Sequence, residues 1–337
     1  MLDTFSFAAQ AIVPMLLLML LGFYLARIGL FDSLLLKKMN SFTFRFGISA
    51  MMFRSIYTLP SLRSIQLPVL VFVVASSMIL TAIGWIEAQV LTSHRDRRGV
   101  IIQNSFRSNF AVIGITLASA LGGEAGAAAA ASMQAPAIIY FNITAVLCLN
   151  TYSNRPGQKI SPWLVLRQIM TNPMILGQVG GLTCLILRGL MPLDASGQPI
   201  FTLSGSLPFL YSAIDSLASM ASPLILILLG AQVDLRRVSS MKKEVFCGVL
   251  QRLVLAPLAG FGMAFLAQSW GLLTLTPAVA SALVGLFGSP VAVASAVMTE
   301  EMGGDAELAR QYVVWTSALS MFTLFLWILL LRSVGIL

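Results

Sequence analysis

Eight stretches of the chain contain no Asp, Glu, Lys or Arg: residues 4–26, 64–86, 125–154, 168–187, 195–214, 216–233, 253–299 and 311–331. A helix that crosses a bilayer needs roughly 20 largely apolar residues. The longest run, Leu253 to Thr299, is long enough for two such helices, with a polar break at Gln268-Ser269-Trp270-Gly271. Charged residues make up only 10% of the 337, against about a quarter in soluble domains. A soluble fold could not hide this much apolar side chain, and a disordered chain would not carry it. The class expected is an all-α polytopic membrane protein embedded in a lipid bilayer.

The pattern predicts ten helices, near 5–26, 34–57, 67–90, 100–119, 126–148, 161–187, 205–230, 243–266, 272–298 and 309–331. Pro208 and Pro223 are expected to break the seventh. The first run lacks a basic leader and a small-residue cleavage site, so it reads as a span retained in the mature chain. Ten spans place both termini on one side, and basic residues choose the side. One set of connections carries thirteen of them: Arg27, Lys37, Lys38, Arg95, Arg97, Arg98, Arg155, Lys159, Arg236, Arg237, Lys242, Lys243 and Arg310. The opposite set carries four, Arg54, Arg63, Arg188 and Arg332. The basic loops are therefore expected in the cytoplasm and both termini outside the cell membrane. This accounts for the net charge of +8 and leaves no basic patch for nucleic acid.

Residues 106–126, FRSNFAVIGITLASALGGEAG, match 287–307, FGSPVAVASAVMTEEMGGDAE. Phe106 falls on Phe287, Ser108 on Ser289, and Gly122-Gly123 on Gly303-Gly304. The chain then divides into a five-helix repeat at 1–149, a cytoplasmic linker at 150–160 and a second repeat at 161–337. An odd number of helices inverts the second copy across the membrane, an arrangement that lets two halves open alternately to either side.

The matched segments, the fourth and ninth helices, carry groups that a lipid-facing helix avoids. The fourth has Asn104, Arg107, Ser108 and Asn109; the ninth has Gly285, Gly288, Ser289 and Pro290. Pro290 removes a backbone donor and clashes with the preceding turn. Freed backbone groups are tolerated in a membrane only inside protein or beside a polar cavity. Two such breaks would gather helix ends, and their bare N–H groups, around one anion site. Arg107 has three open readings: receiving a substrate carboxylate, pairing with Asp215 in the seventh helix, or snorkelling to the surface. Asp215 and Arg45 are charges inside the spans with a coupling or a structural role. Gln134 and Asn142 in the fifth helix are further candidate pocket groups, or bonds between helices.

Cys148, Cys184, Cys247 and the single His94 form no metal-ligand pattern, and no cofactor or metal is expected. GxxxxGK[ST] is absent, as is a serine, histidine and acid set, so neither ATP-driven transport nor hydrolysis is indicated.

Pro14 in the first helix, Asn109, Gln134, IDSLASMASPLILILLG at 214–230 before a basic loop, and GSP at 288–290 appear in this order. In this the chain resembles the auxin efflux carrier family, with its bacterial members and plant PIN-like proteins, over nearly its whole length. The bile-acid sodium symporters share the broader architecture. Ser108-Asn109 stands where a proline often marks the break in the plant proteins, and Ser49 where the second helix often has one. The resemblance implies helices 1, 2, 6 and 7 as a scaffold, commonly dimeric. Helices 3–5 and 8–10 would be a transport domain moving like an elevator, with the broken helices 4 and 9 beside the substrate. It implies secondary transport of a small organic anion, a mono- or dicarboxylate. Transport of a neutral or cationic metabolite, with Arg107 tied to Asp215, and a non-transporting membrane sensor are the alternatives.

Overall fold

The computed structural model describes residues 2–59, 67–153, 163, 167, 169–192 and 199–337. Arg63, Arg155, Lys159 and residues 154–160 of the expected linker lie outside them. The described elements are helical. In chain order they are α1 (Leu2–Arg27), α2 (Ser33–Phe42), α3 (Ser49–Tyr57), α4 (Leu67–Leu91), α5 (Arg95–Phe106) and α6 (Ile115–Tyr152). Then follow α7 (Pro173–Leu190), α8 (Pro208–Gln232), α9 (Lys242–Leu250), α10 (Ala256–Ser269), α11 (Pro277–Gly288), α12 (Ala294–Met302) and α13 (Ala306–Ser333). Wide π-turns join α2 to α3 at Thr43–Ile48 and α9 to α10 at Gln251–Leu255.

Local chemistry sets the helix starts. Asp32, Asn172, Thr276 and Asp305 each accept a bond from a backbone N–H in the first turn that follows. Pro173, Pro208 and Pro277 occupy the first helical position, where a missing N–H costs nothing. Pro208 thus begins α8, and Pro223 lies within that helix without ending it. Gly123, at φ 61° and ψ −150°, interrupts α6 near its start, a conformation that a β-carbon would disfavour.

Among the described residues, six helical stretches are long and apolar enough to cross a membrane: Leu67–Leu91, Phe110–Tyr152, Pro173–Leu190, Pro208–Gln232, Lys242–Ser269 and Ala306–Ser333. Ile12–Arg27 and Pro277–Gly288 are shorter apolar helices. Large apolar side chains such as Leu20, Leu67, Val90, Phe209 and Leu326 are exposed on their outer faces, as a lipid-facing surface requires.

Helix α1 packs on α8, α3 on α7 and α8, α4 on α5 and α6, and α11 on α6. Glycine makes the first contact possible. A β-carbon on Gly22 would lie 1.9 Å from Ile227 O, and one on Gly230 would lie 1.8 Å from Met19 O. Backbone approaches this close are the small-residue packing that membrane helices rely on. The buried core runs through the middle of the molecule, where Phe72 and Phe261 meet Phe287 edge-on at 6.3 and 6.2 Å.

Candidate functional site

Helix α5 stops at Phe106 and α11 at Gly288, both well inside the buried core. Two short extended segments follow them, and they pair with each other. Asn109 N–H donates to Pro290 O at 2.8 Å, and Ala292 N–H donates to Arg107 O at 3.0 Å, an antiparallel bridge between Ser108 and Val291. The bridge satisfies backbone groups that would otherwise be stranded away from water. In this register Asn109 stands opposite Pro290, the two positions that the internal sequence match equates. Beyond the crossing the chain turns helical again, at Phe110–Gly114 and at α12.

A cavity of about 30 Å3 lies against the crossing, lined by Arg107, Ser108 and Asn109 on one side and Ala292, Val293 and Ala294 on the other. Met52, Phe141, Asn142 and Ile225 close it. The volume admits one or two waters. Two helical segments begin at its wall, so both present the positive end of their dipoles to it. Among the described residues, the buried Ser108 Oγ and Asn109 Nδ2 have no hydrogen-bond partner.

Arg107 is 3% exposed. Its guanidinium donates to Gln103 Oε1 at 2.9 Å, Asn142 Oδ1 at 2.7 Å and the sulfur of Met298. Gln103 is itself held across the crossing by Ser295 O and Thr299 Oγ1 on α12. All the acceptors of Arg107 are neutral, and no ion pair among the described residues includes it. Neither pairing with Asp215 nor snorkelling describes it. Asp215 instead accepts from Arg54 at 2.9 Å, with both side chains partly exposed.

The remaining expected residues are distributed as follows. Asn104 is buried and donates to Gly248 O at 2.8 Å. Gln134 is buried and reaches Ala111 O at 3.5 Å. Gly288, Ser289 and Pro290 form the break, with Ser289 Oγ donating to Gly285 O, but the cavity wall is made by the three residues after Val291. Arg45 is exposed and borders a separate cleft with Glu301 and Asn172. Among the described residues no group of three or more His, Cys, Asp or Glu could hold a metal ion.

One residue of the crossing escaped the sequence reading. Arg252, in the π-turn between α9 and α10, is fully buried and bonded to both broken helices. Its signal was available, because it lies nine residues beyond Lys243, a depth of about 13 Å, and is the one charge between Glu244 and Glu300. A charge at such a depth is a functional candidate by default.

The chain matches the family described as Membrane transport protein over residues 7–328. It is a member of that family. A search of curated proteins returned no match. Membership makes the chain a multi-pass transport protein rather than an enzyme, and it agrees with the auxin efflux carrier resemblance.

Proposed function

We propose that the protein is a secondary transporter of a small organic anion, a mono- or dicarboxylate, working by alternating access. The observation that carries the reading is Arg107, a buried cation at the wall of the crossover cavity that has no counter-ion among the described residues. Burying a charge without an opposite charge is expensive, and a cation so held beside a cavity would be stabilised further by an anion. The unpartnered Ser108 Oγ and Asn109 Nδ2, with the two helix N-termini, add donors suited to a carboxylate. The alternative of a neutral or cationic solute needed Arg107 neutralised by Asp215, and that acid is engaged with Arg54.

A cavity of about 30 Å3 is too small for a carboxylate metabolite, so in this reading transport requires the walls to separate. In our reading α1, α2–α3, α7 and α8 are the scaffold, helices 1, 2, 6 and 7 of ten. The rest, helices 3–5 and 8–10, move as an elevator around the broken fourth and ninth helices. The pairing of α1 with α8 and α3 with α7, and of α4 with α5 and α6, supports that division. The same reading takes the two five-helix units as inverted repeats, the termini as external and the scaffold as the face of a homodimer. It also takes the plant PIN-like proteins and the bile-acid symporters as relatives in architecture.

Flux into proteoliposomes from a panel of monocarboxylates, dicarboxylates and uncharged solutes tests the proposal. Saturable carboxylate flux is expected. Robust flux of an uncharged solute with none of any carboxylate would refute the anion reading.

A further inference from the structure

Unwinding two helices leaves carbonyls behind, and the crossing collects them. In a continuous helix Ser105 O would accept from the amide of Asn109, Leu286 O from residue 290 and Phe287 O from the amide of Val291. Pro290 has no N–H to give. The Asn109 amide is taken by Pro290 O at 2.8 Å, and the Val291 amide by Thr316 Oγ1 at 3.2 Å. Three carbonyls on two helices thus lose their partners in the core. Arg252 answers all three and one more. Its Nη1 donates to Ser105 O at 3.2 Å, Nη2 to Phe287 O at 2.6 Å and to Leu286 O at 3.5 Å, and Nε to Ser289 O at 3.1 Å.

The side chain is 0% exposed, and no ion pair among the described residues includes it. Three of the four acceptors are carbonyls in the last turn of α5 or α11, where the backbone dipoles leave negative partial charge, and the fourth, Ser289 O, lies one residue beyond α11. Carbonyls arranged in this way in transporters commonly coordinate a dissociable cation. We propose that Arg252 is a tethered cation: a positioning residue that clamps the C-terminal ends of α5 and α11 together. It fills with a covalently held guanidinium the place where an exchangeable Na+ or K+ would otherwise be needed. The π-turn at Gln251–Leu255 supplies its aim, since the wider turn shifts one side chain relative to the regular helical rows. Arg107 and Arg252 then divide the labour. One faces the cavity at helix N-termini, and the other neutralises helix C-termini.

The test is a cation titration of thermal stability on the purified full chain, wild type and Arg252→Ala, in choline, sodium, potassium or guanidinium chloride at constant low ionic strength. Wild type is expected to unfold at the same temperature in all four. Arg252→Ala is expected to lose roughly 5 °C or more in choline. Millimolar guanidinium or Na+ should return about half of that loss, saturably, as ligand linkage requires. Arg252→Gln carries the same titration should the alanine variant fail to fold. A saturable Na+ or K+ response in the wild type overturns the proposal by itself. So does a folded neutral variant that no cation restores more than it shifts the wild type. No substrate enters this measurement, so its failure is distinct from a failure of the carboxylate reading on which the transport role rests.

Discussion

Replacing Arg107 by methionine separates a substrate contact from a structural one. The change keeps an unbranched chain of similar volume and removes the charge. In the folded protein Arg107 donates to two amide oxygens, of Gln103 and Asn142, and to a thioether sulfur. Bonds from a charged donor are worth about 1.5–3 kcal/mol each. Against them stands the desolvation of the guanidinium, several kcal/mol with no carboxylate to offset it. The two sums are comparable, so stability should change by no more than about 2 kcal/mol in either direction. Binding has no such cancellation. Truncating one side of a buried, hydrogen-bonded charge pair costs about 2–5 kcal/mol, a loss of roughly 30-fold to a few thousand-fold in affinity. The assay is carboxylate uptake into proteoliposomes beside thermal unfolding of the same preparations, with Arg107→Lys as a charge-retaining companion. Uptake should collapse in Arg107→Met while the unfolding temperature moves by a few degrees, and the lysine variant should keep part of the uptake. Unchanged affinity and rate in Arg107→Met, or uptake lost only in proportion to unfolding, would refute the reasoning.

Four further outcomes follow from the packing. Gly22→Ala and Gly230→Ala each drive a methyl into a carbonyl of the opposing helix, so both should cost about 3 kcal/mol or lose monodisperse protein on size exclusion. Gly262→Ala, in open space on α10, should be neutral or stabilise by about 0.5–1 kcal/mol in the same assay. Asp215→Asn breaks an ion pair whose side chains are 32% and 44% exposed. It should change stability by less than about 1 kcal/mol and leave the pH profile of flux intact, whereas a lost pH dependence would assign Asp215 a coupling role. Arg97 lies 2.7 Å from Glu244 and 2.9 Å from Asp305, with all three largely buried. Arg97→Ala should therefore destabilise by about 2–4 kcal/mol, and a cycle with Glu244→Ala should be clearly non-additive.

Much of the helical layout was legible before the structure. The run from 64 to 86 contains nearly all of α4, and the expected helix at 309–331 lies within α13. Proline and polar residues at 107–109 and 289–290 marked the places where α5 and α11 end. The cavity wall was only half legible. Arg107, Ser108 and Asn109 line one side of it, and Ala292, Val293 and Ala294 supply the other. Those residues are apolar and without chemical signature, and the pairing of Ser108 with Val291 that brings them there is a backbone contact. Arg252 was hidden for a related reason. Its partners are carbonyl oxygens at positions 105, 286, 287 and 289, which every residue type possesses.

The sequence by itself determined the solvent, the apolar helical runs and the rarity of buried charge. In a bilayer a charge is costly wherever it stands, so its position along the chain is already informative. Only the tertiary structure decided what each of those charges meets. Arg54 found Asp215, Arg107 found neutral amides beside a cavity, and Arg252 found the loose carbonyls of two interrupted helices. Those partners lie as many as 161 residues away along the chain. Their distances depend on how the helices cross, which no local pattern of residues encodes.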